Sequence, residues 1–377
     1  MTIDLLFPRI LQVLPSLESG GVEKASVDMV LGIKKAYPDM ETFVASSGGV
    51  LVDKIFLLGG SHVEIPLERK TPWSLVRNAF SLKQLIKEHN IQLVHARSRA
   101  PAWSALWAAR QSKIPFITTY HGIYNSSNSV KAFYNSIMAR GDQVIAISEY
   151  VAAHIKQRYP HLSSHVAVIH EGIDATYFDP AEISVEATNS LQAKWGIPEG
   201  RKVILLPGRL TRWKGQKVLI QALQQMDTSN LFAVILGDDQ GRESYSLELK
   251  NQAVGLPVKF IKEYHDMPTV YALADVVLSC STDPEAFGRV TAEALSMGRP
   301  YIGTNLGATP EMCIHGKTGF LVPPENSETL AAMISYVLSL PEEKQISLSA
   351  NARQHICQNF SLDQMVGRTL ALYKAAV

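Results

Sequence analysis

The stretch Pro284-Glu285-Ala286-Phe287-Gly288-Arg289-Val290-Thr291-Ala292-Glu293-Ala294 decides how this chain is read. An apolar run, Ala274-Asp275-Val276-Val277-Leu278-Ser279-Cys280, stands before it and has the length of a buried strand. After the turn the chain opens a helix that runs towards Met297. Strand, turn and helix in that order are the repeating piece of an α/β fold. The turn puts the amides of Phe287, Gly288, Arg289 and Val290 at a helix start, a ready site for an anion such as phosphate. Glu285, before the helix, and Glu293, more than a turn inside it, would repel phosphate. Hydroxyls of a ribose or another sugar are their better partners. A glutamate placed to suit the helix dipole accounts for the same residues without a ligand.

The same grammar occurs upstream. Gly208-Arg209-Leu210-Thr211-Arg212-Trp213-Lys214-Gly215 follows an apolar strand at 203–207 and precedes a helix starting near Gln216. From such a loop Arg209, as a fork, and Lys214, as a point charge, reach a diphosphate. The spacing is not that of a Walker loop. A solvated basic turn is the alternative, and Arg212 is assigned to it. In the first half, Ser19-Gly20-Gly21-Val22-Glu23 separates a strand from a helix, where Gly20 and Gly21 would let amides approach a ligand. A plain tight turn explains that pair equally well. Tyr120-His121-Gly122 ends another strand, which sets His121 at a ligand-facing edge, although most lone histidines are structural. Arg97-Ser98-Arg99-Ala100-Pro101-Ala102-Trp103 follows a further strand. There Arg97 and Arg99 are acceptor-site candidates for an anionic glycan or lipid headgroup, against a solvated loop with Trp103 in the core.

The rest of the chain repeats this rhythm. Strand-like runs at 10–14, 41–45, 91–95, 116–120, 143–147 and 166–170 alternate with helical patterns at 22–36, 75–88 and 102–111. Residues 175–200, with Pro180, Pro198 and several Ser, Thr and Glu, read as a connector. A second series follows, with strands at 203–207, 232–237, 258–261, 276–280, 301–303 and 319–322, then a helical tail at 362–374. With 377 residues, the chain exceeds one ordinary core. The expected fold is α/β, with two Rossmann-like domains facing across a cleft. Residues 1–180 form one, with 361–377 packing back on it, and residues 181–360 form the other. A shared ligand would sit in the cleft at the carboxyl ends of the strands.

The formal net charge of +1 gives no global field for nucleic acid or membrane. Cys280, Cys313 and Cys357 are too widely spaced for a metal pair or disulfide framework, and Cys280 reads as a buried small hydrophobe. Asp4 and Arg9 interrupt the apolar start, which reads as a first strand rather than a signal peptide. No apolar run is long enough to span a bilayer.

Together these motifs resemble the retaining glycosyltransferases of family four, also called glycosyl transferases group one, with the GT-B fold. The Glu285…Glu293 element is their characteristic spacing. Gly20-Gly21, the loop 208–215, the segment Gly307 to Glu311 and Thr318-Gly319-Phe320-Leu321-Val322-Pro323-Pro324 match as well. The resemblance implies that Arg209 and Lys214 hold the donor diphosphate and that Glu293 binds ribose. It places Glu285 with the amides around Phe287 and Gly288 on the donor sugar, and His121 beside the reacting sugar. Gly20 and Gly21 close on the phosphates, and the base rests near Ile261 to Tyr264. Glu171-Gly172 departs from the family's Asn-Gly, and Gly307-Ala308 from its Gly-Gly. The nucleotide-sugar, expected to be a UDP-sugar, is a substrate, so neither cofactor nor metal is expected. No Asp-x-Asp element stands where a metal-bound diphosphate would need it. Front-face attack is preferred, the leaving diphosphate helping to take the acceptor proton. The expected acceptor is a glycan or lipid-linked glycan of lipopolysaccharide or another surface polysaccharide. The expected setting is the cytoplasm at the inner membrane face, with peripheral membrane contact and no nucleic acid. An epimerase of the same fold and a catalytically silent nucleotide-binding module are the alternatives.

Overall fold

The structure is a computed structural model that describes residues 8–18, 20–124 and 128–377. The chain divides into two units, Met1–Gly172 with Leu362–Val377, and Ile173–Ser361. Among the described residues, each unit is built on one parallel sheet.

In the first unit the strands are β1 (Ile10–Val13), β2 (Thr42–Ser46), β3 (Ser61–Glu64), β4 (Leu93–Ala96), β5 (Phe116–Tyr120), β6 (Gln143–Ala146) and β7 (Val166–Val168). They lie in the order β3-β2-β1-β4-β5-β6-β7. In the second unit β8 (Lys202–Pro207), β9 (Leu231–Leu236), β10 (Val258–Ile261), β11 (Val276–Ser279), β12 (Tyr301–Thr304) and β13 (Phe320–Val322) take the order β10-β9-β8-β11-β12-β13. β1, β2, β4, β5 and β11 are buried along their whole length, as expected of strands covered on both faces. In both sheets the order reverses beside the first strand. Neighbouring crossovers then leave on opposite faces and open a crevice at the carboxyl ends, between β1 and β4 and between β8 and β11. The four loops that carry most of the sequence motifs follow these four strands.

The C-terminal helix Leu362–Ala376 returns to the first unit. Leu362, Met365, Val366, Leu370 and Tyr373 complete a core with Ile10, Met29, Leu93 and Ile117. Val366 sits against Gly32, where a Cβ would come within 2.2 Å of it.

Two elements differ from the sequence expectation. Residues 175–200 are not a plain connector but hold the helix Val185–Lys194, started by Ser184 accepting from the Ala187 amide and anchored by buried Leu191. β3 is an added edge strand of mixed exposure, so it lacks the apolar run that marks the others.

Candidate functional site

The loop after β8 and the loop after β11 are clamped together by backbone. The Thr282 amide donates to the Trp213 carbonyl at 2.7 Å. Gly215 has φ +71°, and a Cβ there would lie 1.8 Å from the Cys280 carbonyl oxygen, so only glycine lets the loops approach this closely. Gly307, at φ +62°, would put a Cβ 2.5 Å from the Glu285 carbonyl oxygen, and the Ala308 amide donates to that oxygen at 2.9 Å. Glu285 is thereby fixed from both sides. Ala308 itself has φ −85°, so its departure from the family's second glycine puts no strain on this loop.

This packing brings together two residues that the sequence assigned to different parts of a ligand. Lys214 Nζ lies 2.8 Å from Glu285 Oε1, with side chains 14% and 10% exposed. The Ser281 and Ser279 hydroxyls also donate to Glu285 Oε1. Burial pushes the Glu285 carboxyl up, but the Lys214 charge and these donated hydrogen bonds outweigh it and hold the group below its ordinary value. Lys214 is therefore an internal counter-ion before it is a phosphate ligand, and its ammonium also sits 4.4 Å from the Trp213 ring centre.

The Arg209 side chain is exposed and makes no hydrogen bond or ion pair among the described residues. Arg212 is exposed and pairs with Glu248 at 2.9 Å, a solvated contact as expected. Glu293, inside the helix Arg289–Ser296, accepts from the Tyr271 hydroxyl at 2.8 Å and lies 3.5 Å from Arg289 Nε. Tyr271, which the sequence did not single out, is fully buried, and burial with Glu293 beside it keeps its hydroxyl protonated. Phe287 is buried, 4% exposed, with its ring centre 6.5 Å from that of Phe360, and Gly288 caps the helix. Near the expected base position, Tyr264 packs edge-on to Trp195 at 5.4 Å. Cys280 is buried, and its thiol is pushed up to about 12 by burial.

In the first unit, β1, β4, β5 and β7 deliver a second polar cluster. His121, after β5, places Nδ1 2.8 Å from Glu171 Oε1, after β7, with side chains 6% and 9% exposed. A carboxylate only accepts, so Nδ1 carries the proton. His121 Nε2 is buried without a hydrogen-bond partner and lines a narrow recess with His95, Arg97, Thr119 and Glu171. The Glu171 departure from the family's asparagine is thus a structural partner for His121, which one sequence could not show. His95 is buried beneath them, bonded to the Tyr373 hydroxyl at 2.6 Å and to Thr119 Oγ1 at 2.7 Å. Burial, with Arg97 and His121 nearby, pushes it well below its ordinary value and keeps it neutral.

Arg97 is not on a solvated rim. It is 4% exposed, donates from Nε to Gln12 Oε1 at 2.7 Å, and its amide donates to the Val13 carbonyl. Burial lowers its guanidinium against the opposing pull of Tyr373, Glu171 and Asp28. Arg99 begins the helix Arg99–Ser112, donates to Asn135 Oδ1 at 2.7 Å and stacks 4.2 Å from the Tyr124 ring centre. Both arginines therefore have internal partners. Arg97→Ala should cost the first unit about 3 kcal/mol, because a buried charged donor leaves partners behind. Denaturant unfolding reads this; an unchanged midpoint would return Arg97 to the surface role. Gly20 precedes the helix Gly21–Ala36 at φ −77°, and a Cβ on Gly21 would meet nothing within 4 Å. A Cβ on Gly20 would lie 2.2 Å from Glu23 Oε2, the movable end of a side chain, so neither backbone demands glycine. Ser19 lies outside the described residues.

Residues 19–177 match the family Glycosyltransferase Family 4, and residues 188–355 match Glycosyl transferases group 1. A crystal structure of a glycosyltransferase from Rickettsia africae ESF-5 is 34% identical, with 98% of each chain covered and a TM-score of 0.91. Anabaena Alr3699/HepE in complex with UDP-glucose is 25% identical, with 98% of this chain and 100% of that one covered and a TM-score of 0.83. Spore coat protein SA of Bacillus subtilis (strain 168) is 26% identical over 77% of this chain and 80% of its own.

Proposed function

The chain belongs to the glycosyl transferases group 1 and has the GT-B fold, and from that premise we propose a retaining, metal-independent transfer of sugar from a UDP-sugar to a glycan or lipid-linked glycan. The pathway we propose is lipopolysaccharide or other surface-polysaccharide synthesis, on the cytoplasmic side. The nucleotide-sugar is the substrate, and no separate cofactor is invoked.

The observation that carries the donor reading is the Lys214–Glu285 pair, fixed at the β8/β11 reversal beside exposed Arg209. Arg209 offers a guanidinium fork to the diphosphate. Lys214, shared with Glu285, follows the charge that grows on the leaving group. Glu285 accepts sugar hydroxyls through Oε2, which has no hydrogen-bond partner among the described residues because Lys214, Ser279 and Ser281 all meet Oε1. Glu293 accepts ribose hydroxyls on lone pairs left by Tyr271. In the first unit, His121 Nε2, buried without a hydrogen-bond partner in the recess, is the group assigned to a substrate hydroxyl. The UDP-glucose complex of the Anabaena relative supports uracil as the base.

The test is a panel of UDP-, GDP- and ADP-sugars, read by thermal stabilisation and then by transfer with excess chelator. A donor at a hundred times its Kd stabilises by about 2.7 kcal/mol. NMR of the product is expected to show the donor's anomeric configuration retained. Inversion or a strict divalent requirement would refute the mechanism. Conversion of the sugar nucleotide without acceptor would assign an epimerase instead, and binding without turnover a silent module.

A further inference from the structure

The helix Pro72–Glu88 has two apolar faces. Leu82, Leu85 and Ile86 turn inward and are buried. The opposite side carries Trp73, Val76 and Phe80, which are 80%, 51% and 58% exposed. At about 100° per residue these three fall within one stripe. A helix packed on one side has no folding reason to repeat large apolar groups on the other. The stripe continues onto the next helix, Arg99–Ser112. Phe80 packs edge-on against Trp107 at 5.0 Å, and Trp103, one turn away, packs against Phe133 at 5.2 Å. Phe133 is itself 60% exposed.

The charges around this stripe have one dominant sign. Arg77 and Lys83 flank it on either side and Lys87 extends it, together spanning an arc of about 120°. Lys83 Nζ lies 5.8 Å from the Trp107 ring centre, so cation and aromatic form one surface. On this helix Glu88 alone carries negative charge, and it accepts from Gln84 at its end. Exposed aromatics inside a basic border match the headgroup boundary of an anionic bilayer, where rings enter the acyl edge and ammonium groups meet phosphate. Among the described residues no helix is long and apolar enough to cross a membrane.

We propose that this face of the first unit docks peripherally on an anionic lipid surface, with Trp73, Val76 and Phe80 entering it and Arg77, Lys83 and Lys87 meeting lipid phosphates. The inference draws on no part of the donor assignment. Flotation of the full chain with vesicles tests it, using phosphatidylglycerol mixed with phosphatidylcholine against phosphatidylcholine alone. The chain is expected to float with the anionic vesicles and not with the neutral ones. Trp73→Ser with Phe80→Ser should weaken partitioning roughly 100-fold. Arg77→Glu with Lys87→Glu should weaken it roughly fivefold per positive charge removed. Melting by circular dichroism is expected to stay unchanged, because all four side chains are exposed. Failure of the parent chain to float, or equal flotation of the Trp73→Ser, Phe80→Ser protein, would overturn the proposal. A dimer in sedimentation that dissociates in that variant would give the face to a second copy and overturn it too.

Discussion

The Glu285→Ala protein is expected to lose sugar transfer by about three orders of magnitude in kcat while binding free UDP at least as tightly as the parent. Glu285 gathers three donors, Lys214, Ser281 and Ser279, onto one oxygen. That spends one side of the carboxylate on holding its own loop and fixes the direction of the other. A carboxylate oriented this well loses little entropy on accepting a sugar hydroxyl, so its contribution falls on the reacting part of the donor. Its removal also releases Lys214, which gains freedom to face a diphosphate. Transfer and nucleotide affinity therefore move apart, which calorimetry with UDP and a single-turnover assay read directly. Glu285→Gln, which keeps shape but loses charge, separates the chemical effect from any loosening of the loop. If UDP affinity falls in step with transfer in both variants, Glu285 serves the nucleotide and not the sugar.

Lys214→Ala is expected to cost the second unit about 3–5 kcal/mol at neutral pH, the range for breaking a buried pair. The reason is electrostatic. In the parent chain Lys214 holds the Glu285 carboxyl below its ordinary value of 4.5 despite burial. A depressed carboxyl adds stability that is present above the unfolded value and lost as pH falls through the folded one. Without Lys214, burial prevails and the carboxyl rises above 4.5, so the same group destabilises as pH increases. The gap in unfolding temperature between parent and variant should thus be smallest below pH 4.5, where the carboxyl is protonated in both, and widen towards pH 8. A gap independent of pH would mean that Lys214 acts by packing against Trp213 alone.

Much of the fold can be read from the chain because parallel strands buried on both faces leave continuous apolar runs, as at Val276–Ser279 and Leu231–Leu236. β3 has no such run, since an edge strand needs only one covered face. The helix Val185–Lys194 was legible in Ser184 as a cap, but Pro180 and Pro198 masked it. In the site, residue types and loops were readable one at a time. Their pairings were not, because they join residues 71 and 50 positions apart, Lys214 with Glu285 and His121 with Glu171. The first pairing depends on Gly215 resting on Cys280, a close approach that a linear pattern does not encode. Arg97 misled for the same reason, because its partner Gln12 lies 85 positions away on β1.

The return of the helix Leu362–Ala376 to the first unit also sets an order of events during synthesis. Tyr373 closes on His95 at the centre of the first sheet, and Val366 fills the space that Gly32 leaves. On the ribosome the second unit is translated before those residues exist, so the first core has to wait for the helix Leu362–Ala376. The N-terminal sheet, though made earlier, waits with an uncovered apolar surface over Ile10, Met29 and Leu93. The earlier-made half is therefore the last to mature, and it is the half a holding chaperone would need to shield.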